Sequence, residues 1–230
     1  MPLLTGFCAP SRLASQTPAA EPNELPMTRR SLLLGALAAR GGWTSLFDGR
    51  TTDGWLEVTG ADFPAGTWRI ADGCLQSVKV AEGGFQDIRT RDVFTEFEFE
   101  FEWRIETGGN SGVKYLIERV NRWAAAGGTF HARGRGAEYQ VSDDLSNPAT
   151  VGDPRKQCGS LYGRIAPSLK ATLPAGEFNR SRITVAGGRV EHWLNGQKAV
   201  EYAAASKPTP IVLQHHNSAA WFRALRIREL

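Results

Sequence analysis

Four polar clusters interrupt otherwise apolar stretches of this 230-residue sequence, and their side chains are of kinds that move protons or hold hydroxyl groups. They are Asn110-Ser111-Gly112, the run Glu138-Tyr139-Gln140-Val141-Ser142-Asp143, the run Gln214-His215-His216-Asn217, and Arg223. In an extended chain Glu138 and Gln140 stand at i and i+2, so both point the same way, opposite to Tyr139 and Val141. A carboxylate and an amide on one strand face, with loop-like sequence at either end, have the character of the floor of a sugar-sized cleft. The plain alternative for Glu138 is an exposed rung of the sheet. His215 and His216 are adjacent, so on a strand they face opposite sides and only one of them enters a cleft; a single histidine in a β protein is commonly structural.

The elements that must position these groups read as strands. Phe97, Phe99, Phe101, Trp103 and Ile105 alternate with Glu96, Glu98, Glu100, Glu102 and Arg104, a period of two that puts the aromatics in a core and the glutamates in water, where they repel one another. Less regular runs at 67–71, 74–78, 112–118, 137–142, 160–166, 178–186, 189–194, 198–203, 210–215 and 221–228 continue the pattern. Asn195-Gly196 and Asp72-Gly73 join neighbouring runs as two-residue hairpins, because both positions of such a turn favour positive φ. Residues 121–136, rich in glycine and carrying His131, Arg133 and Arg135, and residues 143–157 read as long loops rising from the two ends of the Glu138 strand; loops of that length commonly serve a site. With 25 Gly, 12 Pro, seven Trp and eleven Phe, and no convincing three-turn helix, the expectation is an all-β sandwich or jelly roll.

A hydrophobic fraction of 41% with 22% charged residues suits a globular chain. The formal charge of +3 and the absence of a Lys/Arg block interleaved with aromatics argue against a nucleic-acid surface, and no apolar stretch is long enough to span a membrane as a helix. Residues 1–26, with five prolines, read as disordered leader. From Met27, which could itself be the start, Arg29-Arg30 precede an apolar stretch and small residues at Ala36 and Ala38, the parts of a twin-arginine export signal, so residues 1–40 are expected to be a processed leader and 41–230 a single domain delivered to the periplasm. Cys74 and Cys158 then remain in an oxidising compartment, where they are either a disulfide or two buried thiols. No Cys-x-x-Cys pair occurs.

The order of short motifs carries a resemblance. Trp43-Thr44-Ser45-Leu46-Phe47-Asp48-Gly49-Arg50 with Gly54-Trp55, Trp68-Arg69-Ile70-Ala71-Asp72-Gly73, Asn110-Ser111-Gly112, Glu138 to Asp143, Gly159-Ser160-Leu161-Tyr162 with Ala166-Pro167, Leu194-Asn195-Gly196, and Leu213-Gln214-His215-His216 with Phe222-Arg223 occur in the order seen in the 3-keto-disaccharide hydrolase domain family. Residues 43–230 resemble that family. It differs at Ala224, where the family usually has Asn, and at Cys158, where a small residue is common. The resemblance implies a concanavalin A-like jelly-roll sandwich of two antiparallel sheets and, in bacteria, periplasmic or surface proteins acting on 3-keto-glycosides, with a small carbohydrate as the partner.

That chemistry suits a site without a glycosidase pair. A ketone at C3 acidifies the C2 proton, so a base removes it, the C1 aglycone leaves by elimination, and water adds back; an ordinary glycosidase instead needs two carboxylates around an oxocarbenium ion. His216 has the proton affinity for the base, with Glu138 or Asp143 as competitors. Arg223 or a divalent cation could meet the enediolate charge, and Glu138, Asp143 and His216 would be the ligands of such a metal. Asn110, Gln140, Arg223 and Tyr162 are the candidate substrate contacts. The competing reading is a non-catalytic carbohydrate-binding module using Trp123 and Trp221 as sugar platforms, without need of His216 or Glu138. A two-carboxylate glycosidase lacks support, since no Glu-x-Asp-x-x-Glu strand pattern is present.

Overall fold

In the computed structural model, which describes residues 41–81 and 84–230, the chain forms two antiparallel sheets packed as a jelly-roll sandwich. The strands are β1 (Thr44–Ser45), β2 (Trp55–Glu57), β3 (Trp68–Ala71), β4 (Cys74–Ser77), β5 (Ile88–Thr90), β6 (Phe97–Ile105), β7 (Asn110–Ala124), β8 (Phe130–Ser142), β9 (Asn179–Ala186), β10 (Arg189–Leu194), β11 (Gln197–Ala203), β12 (Val212–Leu213) and β13 (Ala220–Glu229). Eight of them make one sheet, in the order β11-β10-β9-β6-β13-β4-β3 with β1 beside β13, and five make the other, β2-β5-β12-β7-β8. The export signal expected at residues 27–40 lies outside the described residues.

β6 alternates strictly: Phe97, Phe99, Phe101, Trp103 and Ile105 are buried to 2% exposure or less, while the glutamates between them face outward. Each large side chain taken from water here stabilises the fold by roughly 2–3 kcal/mol. The glutamates do not merely repel one another. Arg228 and Arg182 pair with Glu98, Arg226 and Arg180 with Glu100, and Arg223 with Glu102, all from the flanking strands β13 and β9. Asn195 (φ 47°) and Gly196 (φ 80°) form the expected tight turn between β10 and β11.

Polar bolts cross the core between the sheets. The Tyr115 hydroxyl lies 2.5 Å from His192 Nε2 and 2.8 Å from the Tyr202 hydroxyl, and His192 Nδ1 donates to the Gly159 carbonyl at 2.9 Å. Nδ1 therefore carries the proton and Nε2 accepts from Tyr115, a neutral imidazole held without exposure to water. Burial pulls its pKa down to about 4.

Two local expectations change, and one left open is decided. Residues 121–136 are not a loop: β7 and β8 run on as a hairpin past a bulge between Tyr115 and Arg119, Gly127 and Gly128 turn it at positive φ, and Gly136 allows close backbone approach. A Cβ on Gly136 would stand 2.6 Å from the Tyr115 carbonyl oxygen. The far part of this hairpin folds over the outer face of the five-stranded sheet, held by a parallel bridge from Gln86 to Ala132 and by a second small core of Val58, Ala132 and Val212. Residues 160–166 form bridges rather than a strand, Tyr139 with Leu161 and Leu161 with Ile165, and cover the free edge of β8. Cys74 and Cys158 are both buried and free, so they form no disulfide; the Cys158 thiol instead donates to the Ser142 carbonyl at 2.8 Å.

Candidate active site

A cleft of about 310 Å³ opens on the outer face of the five-stranded sheet. Its floor is β8 and the segment after β12, one wall is the folded-over hairpin carrying Arg133 and Arg135, and the other is the Leu161–Arg164 segment, fixed when the Tyr162 N–H donates to the Glu138 carbonyl at 3.0 Å. Asn110, Glu138, Tyr162, Gln214 and His216 also line it.

Glu138 is the centre of the floor. Gln214 Nε2 donates to its Oε1 at 3.1 Å, and Lys114 Nζ stands 3.9 Å from its Oε2. Gly112 on the neighbouring strand makes the room: a Cβ there would meet Glu138 Oε1 at 2.9 Å. Burial raises the carboxyl's pKa above the ordinary value, and Lys114 only partly offsets it. Lys114 in turn pairs at 2.7 Å with Asp87, a fully buried carboxylate that also accepts the backbone N–H groups of Gly134 and His215. This charge pair ties β5, β7, β8 and the segment after β12 together directly beneath the cleft.

Between the adjacent histidines, His216 faces the cleft and His215 does not. His215 is buried, donating from Nε2 to the Val78 carbonyl at 2.8 Å. The His216 ring stacks on Phe85, centroids 5.8 Å apart and planes at 16°. Burial, then the Arg133 charge, lowers its pKa, so the imidazole is neutral near pH 7. Phe85 also lies under the Arg133 guanidinium at 4.8 Å. Arg133 donates to the His215 carbonyl through one Nη at 3.0 Å, and its buried Nε has no partner among the described residues.

Of the residues singled out in the sequence, Glu138, His216, Asn110 and Tyr162 meet in this cleft. Gln140 lies buried behind it, donating to Asn110 Oδ1 at 3.0 Å and so orienting that side chain. Asp143 is turned elsewhere: its carboxylate accepts the N–H groups of Gly108, Leu145 and Ser146, which hold its pKa low against the opposing effect of partial burial. Arg223 belongs to the other sheet, paired with Glu102 at 2.8 Å and stacked on Phe178 at 3.6 Å. The metal set of Glu138, Asp143 and His216 is therefore not assembled, and among the described residues no three His, Cys, Asp or Glu side chains are placed to hold an ion. The cation beside Glu138 is the Lys114 ammonium. Trp221 lies under Arg104 at 4.5 Å and Trp123 against His131 at 4.8 Å, so neither is a bare platform. Sequence reading overlooked Lys114, Asp87 and Arg164, and named Arg133 and Arg135 only as part of a loop serving the site. The signal for Lys114 was its position two residues after Gly112, on the same strand face.

Comparisons with known proteins agree with this architecture. A solved structure from Parabacteroides distasonis ATCC 8503, provisionally described as a glycosyl hydrolase, superimposes with a TM-score of 0.68 at 26% identity, covering 82% of this chain and 94% of that one. A second from the same organism, described likewise, gives a TM-score of 0.63 at 25% identity over 82% of this chain and all of its own. A 3-keto-disaccharide hydrolase of Bacteroides thetaiotaomicron VPI-5482 is 34% identical over 182 residues, 75% of this chain; the chain spans 62% of that relative's length. The family model of the 3-keto-alpha-glucoside-1,2-lyase-like domain matches residues 42–228, and the chain belongs to that family.

Proposed function

We propose that the cleft cleaves 3-keto-glycosides by elimination and hydration. The observation that carries this reading is a neutral imidazole and a carboxyl whose proton affinity is raised by burial, together in one cleft beside a guanidinium with an N–H that is unpartnered among the described residues. Two titratable groups whose environments push their proton affinities apart are suited to act as base and acid. His216 takes the C2 proton, and the electron pair moves into the C2–C3 bond and onto the C3 oxygen. Arg133 faces the enediolate charge, in place of Arg223, which is paired with Glu102 on the other sheet. The pair then returns to form the C1–C2 double bond as the C1–O bond breaks, and Glu138 protonates the departing oxygen. Water adds its hydroxyl at C1 and its proton at C2, giving the free 3-keto sugar. Asn110 and Tyr162 are placed to hold ring hydroxyls.

Incubation in D2O with a 3-keto-disaccharide and with its unoxidised parent tests this. The expected result is cleavage of the ketone alone, with deuterium at C2 of the released sugar above an enzyme-free control. Cleavage without deuterium would point to direct displacement at C1 and overturn the elimination. In kcat/KM the acid limb belongs to His216 and lies below pH 6.5, because protonation removes the base. We further propose that residues 27–40 export the domain; Arg29→Lys with Arg30→Lys should leave precursor in the cytoplasm, and normal export of that double variant would remove the twin-arginine claim.

A further inference from the structure

The cleft holds more positive charge than the elimination uses. Arg133, Arg135 and Arg164 line it, and Arg119 stands directly opposite Arg135 in the hairpin register, on the same face. Among the described residues none of the four forms an ion pair, whereas Lys114 is neutralised by Asp87. Two arginines facing each other across a strand pair disfavour the pairing, and an anion beside them relieves the repulsion. Arg133 is taken up by the enediolate: it is 9% exposed and, among the described residues, its buried Nε has no partner. A side chain so covered ordinarily has its donors satisfied.

We propose that this cleft selects acidic substrates, 3-keto-glycosides whose aglycone carries a carboxylate. The inference rests on the elimination reading above for the position of the keto ring. That reaction engages C1 to C3 and the ketone oxygen, with Arg133 at the enediolate. The remaining guanidiniums, Arg135 and Arg164, fall to the part of the substrate the chemistry leaves free. A carboxylate is matched by the fork of an arginine, which a neutral hydroxyl cannot fill. Both side chains are exposed at the cleft's walls, so changing them spares the core.

The test compares a 3-keto-disaccharide with the same compound oxidised at its reducing end to the aldonate, alongside calorimetric titration of the two parent disaccharides that lack the ketone. The expected result is a KM about tenfold or more lower for the aldonate at low ionic strength, shrinking at high salt and in the double variant Arg135→Gln, Arg164→Gln. Equal KM values for two compounds that are both turned over would overturn the acidic-substrate proposal and leave elimination standing. If neither is turned over but the parent aldonate binds about tenfold tighter than the neutral parent, the selection stands and the elimination reading falls. If the chain neither binds nor cleaves any of the four, both are wrong.

Discussion

The two outer faces of the sandwich carry similar side chains put to different uses. On the eight-stranded sheet the row Glu98, Glu100, Glu102 meets arginines from both neighbouring strands, so charge is matched rung by rung in water. Hydrogen bonds from Arg226 and Arg180 hold Glu100 below the ordinary carboxylate value, against the opposite pull of burial. On the five-stranded sheet a hairpin folds over the face and walls the cleft. There the carboxyl of Glu138 is pushed up, the imidazole is pushed down, and among the described residues the guanidiniums have no carboxylate partner. Partners, rather than residue type or side-chain exposure, separate the two faces: Glu100 and Glu138 are 14% and 15% exposed, but two arginines neutralise the first, while the second has a hydrogen bond from Gln214 and a lysine already paired with Asp87.

The comparison can be broken most sharply at its charge pairs. Lys114→Met leaves Asp87 buried and unpaired and should cost about 3–5 kcal/mol of stability, read by denaturant unfolding. A loss as small as that of a surface pair would mean the cleft floor is wetter than drawn. Between the faces, the unfolded chain takes up a proton on His192 at about pH 6.5, whereas the folded core refuses it until about pH 4. The stability it contributes is fully present above 6.5 and is lost as pH falls through that window, by about 3 kcal/mol in all, and His192→Gln should flatten that part of the pH profile. Glu138→Gln and His216→Ala should each lower turnover of a 3-keto-glycoside by about 10²-fold or more with unchanged melting temperature. Full activity in both would make the face a binding surface only. Gly112→Ala should cost about tenfold in turnover by displacing Glu138, since a Cβ would stand 2.9 Å from its carboxylate. Arg226→Met, on the solvated face, should change stability by under about 1 kcal/mol and leave turnover untouched.

Local pattern made the scaffold readable. The two-residue period of Phe97–Ile105 named its own buried face, Asn195-Gly196 named its turn, and the order of short motifs named the family, because side-chain alternation and positive φ are properties of neighbouring residues. Glu138 and His216 were legible as candidates for the same reason, being polar groups on or just beyond strands that otherwise alternate. Where each polar group went was decided only in three dimensions. Asp143 is three residues after Gln140 yet turns into its own loop, and Arg223 follows Phe222 yet lies on the opposite side of the sandwich from Glu138. Lys114 and Asp87, 27 positions apart, meet beneath the cleft, and a glycine-rich stretch that resembled a loop became the arginine-bearing wall. Spacing along the chain determines which way a side chain points from its own strand; sheet order, a bulge at Leu116 and the fold-over of a hairpin determine what it meets there, and those depend on packing that no single segment encodes.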